Sequence, residues 1–183
     1  KNYDRLIEIY EALAAHGYRE VGQEYLQNVL DTAKQLDAYD SGRIYYYLGE
    51  YQKAYLALDE ARDKGGADSY LYLGRAYAAT GDYNYASSVY NNYLSKQGPN
   101  AEIYNELGLC EMAKKEYQNA LAAFQAGKQI EGNSLMQTLC FNEIVAYEYL
   151  EDYQQAEILM NAYLQNYPDD QTAIREQQFL STR

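Results

Sequence analysis

The chain has 183 residues, a net charge of −12 from 27 acidic and 15 basic side chains, and 24 tyrosines but no tryptophan. This negative charge argues against nucleic acid and anionic membranes as partners, because both require a dense positive patch. No apolar run approaches the roughly 20 residues that span a bilayer, so we expect no direct membrane insertion of this fragment.

A motif of tyrosine, leucine and glycine recurs along the chain with a period near 34 residues. The run YLYLGRAY at 70–77 returns as YNELGLCE at 104–111, and AYDSGRIY at 38–45 is an earlier copy. A second motif follows each first one, as in GDYNYASSVY at 81–90 and KEYQNALAAF at 115–124. A fixed period of this length indicates an array of structural repeats.

Each repeat contains two helical patterns separated by a short turn signal. Tyr70, Leu73 and Tyr77 share one helix face, and Ala86 and Tyr90 share another. Glycines can end the first helix and aspartates can cap the second. The predicted hairpins span residues 3–34, 35–66, 67–100, 101–136 and 137–170, and a last helix spans 171–183.

These recurring residues resemble the tetratricopeptide repeat family, clearly over 35–170 and weakly over 3–34. The resemblance implies an all-α fold, a right-handed superhelical solenoid of helix-turn-helix hairpins. It further implies a single domain over 1–183, in which 171–183 caps the open apolar edge of the array. Most tyrosines, including Tyr77 and Tyr90, are therefore expected to be buried between helices.

In this family the first helix of each repeat lines a concave groove that holds peptides. The residues that the resemblance places in such a groove are Tyr39, Arg43, Tyr46, Tyr47, Leu71, Arg75, Asn105, Leu109, Met112, Phe141, Val145 and Tyr149. Rings supply contact area, Asn105 can bond a peptide backbone, and Arg43 with Arg75 could straddle a carboxylate. Tyr47 and Tyr149 are expected to face solvent. Alternatively, these side chains fill a narrow groove or meet a second copy of the chain in a homodimer.

One branch of the family clamps a terminal carboxylate with basic and amide side chains. Leu71 and Glu102 stand where that clamp needs such groups, so this specificity is not expected here.

No pattern of catalytic or metal-binding residues is visible, and we expect neither an enzyme nor a cofactor. His16 stands alone at a predicted helix end, without a nucleophile or an orienting partner nearby. Cys110 and Cys140 are offset by about 9 Å along neighbouring helices, which predicts free thiols instead of a disulfide.

The sequence therefore favours a non-enzymatic scaffold that binds a peptide or protein. Two alternatives stay open, namely a ligand-sensing module of a larger regulator and an envelope assembly lipoprotein whose leader has been removed. The compartment stays open with them, either cytoplasmic or extracytoplasmic.

Overall fold

The structure, a computed structural model, describes residues 3–33, 35–62 and 66–183. These residues form helices and no strand, as the sequence predicts. The helices are α1 (Tyr3–Ala15), α2 (Arg19–Thr32), α3 (Ala38–Leu48), α4 (Tyr51–Ala61), α5 (Gly66–Ala79), α6 (Tyr83–Gln97), α7 (Ala101–Ala113), α8 (Tyr117–Lys128), α9 (Met136–Tyr149), α10 (Tyr153–Asn166) and α11 (Gln171–Leu180).

The same backbone turn joins the two helices of every hairpin. One residue with positive φ follows each first helix, at Gly17, Gly49, Gly81, Lys115 and Glu151. The amide after it donates to the carbonyl five residues earlier, at N–O distances of 2.8–3.0 Å. This bond satisfies a carbonyl that the helix end would otherwise leave unpaired. The turn recurs in the first hairpin, where the side-chain pattern is faint.

Aspartate and asparagine side chains begin several helices. Asp82 accepts a hydrogen bond from the Tyr85 amide at 3.0 Å, and Asp152 accepts one from the Gln155 amide at 3.1 Å. Asn100 accepts from the Ile103 amide at the start of α7. These bonds confirm the predicted aspartate caps and satisfy backbone amides at the starts of α6, α7 and α10.

Glycines inside two first helices allow the second helices to approach closely. A Cβ added at Gly42 would lie 2.5 Å from Leu58 Cγ, and one added at Gly108 would overlap the ring of Phe124. Both partners are fully buried. The glycine of the repeated motif is therefore required by helix packing.

The chain divides into two compact units, residues 1–89 and 90–183. In the first unit, a core of Leu6, Ile7, Tyr10, Leu26 and Ile44 joins α1, α2 and α3. The second unit holds one core around α8 and α9 and another that joins α9, α10 and α11. The expectation that 1–183 is a single domain stays a prediction.

Helix α11 packs on α10, as expected of a terminal helix that covers an apolar face. Ala173 and Leu180 are buried in one cluster with Ile144 and Met160. Phe179, on the same helix, is 39% exposed. The helix thus buries one side and presents an aromatic ring on another.

The tyrosines divide between full and partial burial. Tyr70 and Tyr90 are buried, which confirms the prediction for Tyr90. Tyr77 is only half-buried; its ring stacks on Tyr55 with centroids 4.4 Å apart, and it contacts Tyr85. Burial, and then the nearby Tyr85, raises the pKa of Tyr77 to about 12.

None of the described helices is long and apolar enough to cross a membrane.

Candidate functional site

The predicted groove residues fall on two surfaces, one in each compact unit. The α3–α5 surface consists of Tyr39, Arg43, Tyr46, Tyr47, Leu71 and Arg75. The α7–α9 surface consists of Asn105, Leu109, Met112, Phe141, Val145 and Tyr149.

Arg43 on the α3–α5 surface binds carboxylates of its own chain. Its side chain is 6% exposed and donates to Asp4 at 2.7 Å and to Asp40 at 2.5 Å. Its guanidinium carbon lies 4.2 Å from the centre of the Tyr39 ring. A buried arginine needs such partners to remain charged. Arg43 thus joins α1 to α3 and is not an open polar contact point for a ligand.

Tyr47 is also occupied within the chain, so the expectation that it faces solvent is wrong. Its ring lies 4.9 Å from that of Tyr10, and its hydroxyl donates to the carboxylate of Glu11. The Tyr72 hydroxyl lies 2.9 Å from the hydroxyl oxygen of Tyr47. Burial, and then the bond to Glu11, raises the pKa of Tyr47 well above its usual range. The stripe of expected groove residues did not indicate these partners.

The other members of the α3–α5 surface are partly or fully covered. Leu71 is buried, and Tyr46 is half-buried with its ring 5.6 Å from that of Tyr72. The guanidinium of Arg75 lies 6.0 Å from the Tyr72 ring centre. Tyr72 is therefore the central ring of this surface, although the sequence assigned it no role.

The α7–α9 surface has a buried polar bond at its base. Asn105 is buried and accepts a hydrogen bond from Asn142 at 2.9 Å, which joins α7 to α9. A cavity of about 300 Å³ lies beside it, lined in part by Phe141, Asn142 and Tyr163. The amide oxygen of Asn105 is thus already bonded within the chain.

Two apolar side chains of the α7–α9 surface are open to solvent. Leu109 is 43% exposed and Tyr149 is 57% exposed, which confirms the expectation for Tyr149. The Tyr149 ring stacks on the Tyr117 ring with centroids 5.0 Å apart, and this contact holds the exposed ring in place. Met112, Phe141 and Val145 are half-buried. Apolar contact area is available on this surface without unfolding any helix.

Charged groups buried near this surface are paired. Glu111 accepts from Lys114 at 2.8 Å, and Glu143 accepts from Lys128. Both pairs neutralise carboxylates that would otherwise be costly to bury. Glu111 stands where other repeats hold a tyrosine, so an ion pair replaces a ring there.

The histidine and the two cysteines of the chain are His16, Cys110 and Cys140. His16 is exposed, and its Nδ1 lies 2.8 Å from the Ala12 carbonyl oxygen at the end of α1. Cys110 and Cys140 are free thiols, as predicted, and burial raises the pKa of Cys110 to about 12. Within the described ranges, no group of three histidine, cysteine or acidic residues could hold a metal ion.

Solved structures of similar fold cover nearly the whole chain. A thermophilic protein from Thermus thermophilus has 16% identity, covers 99% of this chain and 100% of its own, and gives a TM-score of 0.74. A protein from Parabacteroides merdae has 18% identity, and the match covers 97% of this chain and 72% of its own. Its TM-score is 0.67. Both are described as tetratricopeptide repeat proteins. At these identities the likeness concerns the fold alone.

A third similar structure contains a peptide. It is the second tetratricopeptide repeat domain of human RPAP3, solved in complex with an HSP70 peptide. Its identity is 17%, it covers 64% of this chain and 97% of its own, and its TM-score is 0.58. No curated protein matches the sequence.

The family model described as tetratricopeptide repeat matches residues 39–86 and 73–133. These matches cover more than half of the chain. They include Gly42 and Gly108, whose packing requires a small residue, and three of the five hairpin turns. The chain therefore belongs to the tetratricopeptide repeat family.

Proposed function

We propose that this chain is a non-enzymatic interaction module that binds a peptide or protein on the α7–α9 surface. The observation that carries the proposal is the exposure of Leu109 and Tyr149 on two helices joined by the Asn105–Asn142 bond. Exposed apolar side chains on a rigid support suit partner binding, because little side-chain order is lost on association.

The composition of the α7–α9 surface supports a polypeptide as the partner. Methionine and aromatic residues are enriched in protein interfaces, and Met112, Phe141 and Tyr149 supply them here. The RPAP3 domain of similar fold holds a peptide, which makes this class of partner physically reasonable. The α3–α5 surface is less favourable, because Arg43 and Tyr47 are engaged inside the chain.

The test is site-specific photo-crosslinking in the native host. A photoreactive phenylalanine analogue replaces Leu109 or Tyr149. In the matched control the same analogue replaces Ile158, which is 55% exposed on α10, the second helix of its hairpin. We expect one partner to crosslink from 109 and 149 but not from 158. Leu109→Glu should then weaken binding of the purified partner by about tenfold or more.

Two results would contradict the proposal. Equal crosslinking from 158 would indicate nonspecific contact with apolar residues. A crosslink between two copies of the chain, together with a dimer in sedimentation equilibrium, would assign the surface to a homodimer instead.

A further inference from the structure

A cavity of about 430 Å³ lies where the C-terminal end of α9 meets α10 and α11. Three glutamates and three aromatic residues line it, namely Glu148, Tyr149, Glu151, Tyr153, Glu176 and Phe179. None of these six residues is basic. The cavity therefore combines negative charge with ring faces.

The carboxylates are poorly compensated inside the chain. Glu148 hydrogen-bonds Glu176, but the Oε1 atom of Glu148 is buried without a hydrogen-bond partner. Burial, and then the charge of Glu176, raises the pKa of Glu148 to about 7. The charge of Glu176 therefore disfavours the ionised form of Glu148. A cation placed between them would remove that repulsion.

The aromatic rings of the cavity already contact a guanidinium group. The Arg183 guanidinium carbon lies 4.5 Å from the Phe179 ring centre and 5.7 Å from that of Tyr153. Both distances fall within the range of favourable cation–π contact, up to about 6 Å. The chain's own Arg183 therefore already occupies these ring faces, which shows that they accept a guanidinium group.

We propose that this cavity binds an arginine side chain of a partner polypeptide. The proposal rests on the proposed function only in that the partner is a polypeptide. The partner's guanidinium replaces that of Arg183 on Phe179 and Tyr153, while its N–H groups donate to Glu148 and Glu176. Its planar fork can reach two carboxylates at once, which a lysine ammonium does less well. A proton held by Glu148 is released to solvent as the cation binds.

The test uses the full 183-residue chain, labelled with ¹⁵N, and three short peptides. The probe is acetyl-Gly-Gly-Arg-Gly-Gly-amide, and its counterparts carry citrulline or lysine instead of arginine. Citrulline keeps the shape of arginine without its charge. We expect the arginine peptide to shift amide signals around Glu148 and Phe179. We expect the lysine peptide to bind more weakly and the citrulline peptide at least about tenfold more weakly.

Variants separate binding from folding. Glu148→Gln should weaken binding of the arginine peptide by about fivefold or more. Phe179→Leu should also weaken this binding, although it leaves the net charge of the chain unchanged. The matched control Glu157→Gln removes one exposed charge on α10 and should leave affinity unchanged. Calorimetry near pH 7 in buffers of different ionisation enthalpy should show proton release on binding to the parent chain and none with Glu148→Gln.

Equal binding of the arginine and citrulline peptides would overturn the proposal. So would a loss of affinity in Glu157→Gln as large as that in Glu148→Gln, or signal changes confined to other helices. These outcomes are distinct from failure at Leu109, because a partner can crosslink there whether or not this cavity takes arginine.

Discussion

Tyr47 shows how a residue predicted to contact a ligand can instead stabilise the fold. Its hydroxyl is bonded to Glu11 and Tyr72, whereas Tyr149 is 57% exposed. We expect Tyr47→Phe to lower the free energy of unfolding by about 1 kcal/mol, because a bond to a charged group is lost. Tyr149→Phe, the matched control, should stay within about 0.5 kcal/mol of the parent. Equal effects in urea unfolding would contradict a stabilising role for the Tyr47 hydroxyl.

Glu148 should make stability depend on pH. Its pKa is raised from 4.5 to about 7 in the folded state, so the folded chain holds a proton that the unfolded chain releases. The contribution to stability is therefore complete below the unfolded pKa and is lost as pH rises through about 7. The melting temperature of the parent should therefore fall between about pH 5 and pH 8. Glu148→Gln should reduce this fall, because the contribution of Glu148 is removed.

The control for this titration is Glu157→Gln, which makes the same charge change at an exposed position. It should keep the parent's pH profile. A profile that Glu148→Gln leaves unchanged would mean that Glu148 ionises normally in the folded chain.

At the scale of a helical element, two hairpin turns hold a side chain in a backbone conformation that favours glycine. Lys115 has φ of 64° and Glu151 has φ of 60°, where the first three hairpins have glycine. A left-handed residue with a Cβ costs roughly 1–2 kcal/mol. Lys115→Gly should therefore stabilise the chain by about 0.5–1 kcal/mol, measured by urea unfolding.

Lys115→Ala is the matched control for this turn, because it removes the charge but keeps the Cβ. It should be close to neutral. Stabilisation by alanine as large as that by glycine would show that charge, and not backbone strain, is relieved.

Helix α11 should stabilise the second unit by covering its last core. Ala173 and Leu180 are buried against Met160 and Tyr163, and Asp170 caps the helix by accepting from the amides of Thr172 and Ala173. Removal of 171–183 should lower the melting temperature and increase binding of an apolar dye, because that core becomes exposed.

Removal of 181–183 alone is the control, since α11 ends at Leu180. This shorter truncation removes the Arg183 ring contacts but leaves the apolar core covered, so it should lower the melting temperature far less than removal of 171–183. Leu180→Ala should lie between the two truncations, with a loss of about 2–3 kcal/mol for a buried leucine. If removal of all of 171–183 changed nothing, α11 would be a tail instead of a cap.

At the scale of the whole molecule, the sequence predicted the hairpins better than the surfaces. The period is visible because packing requires a small residue at Gly42 and Gly108 in equivalent places. The internal partners of Arg43 and Tyr47 were missed because Asp4 and Glu11 lie in the first hairpin, where the motif is faint. Helix periodicity assigns a side chain to a face, but it does not reveal which distant group will cover that face.

The net charge of −12 should also act on the molecule as a whole. A compact chain with this excess of like charge repels itself, and salt screens that repulsion as the Debye length falls from about 30 Å at 0.01 M to about 8 Å at 0.15 M. We expect the melting temperature to rise by a few degrees over this range of sodium chloride. Sucrose at equal osmolality controls for effects other than screening. A fall in melting temperature would show that exposed ion pairs, such as Arg5–Glu8 at 2.8 Å, contribute more than the overall repulsion.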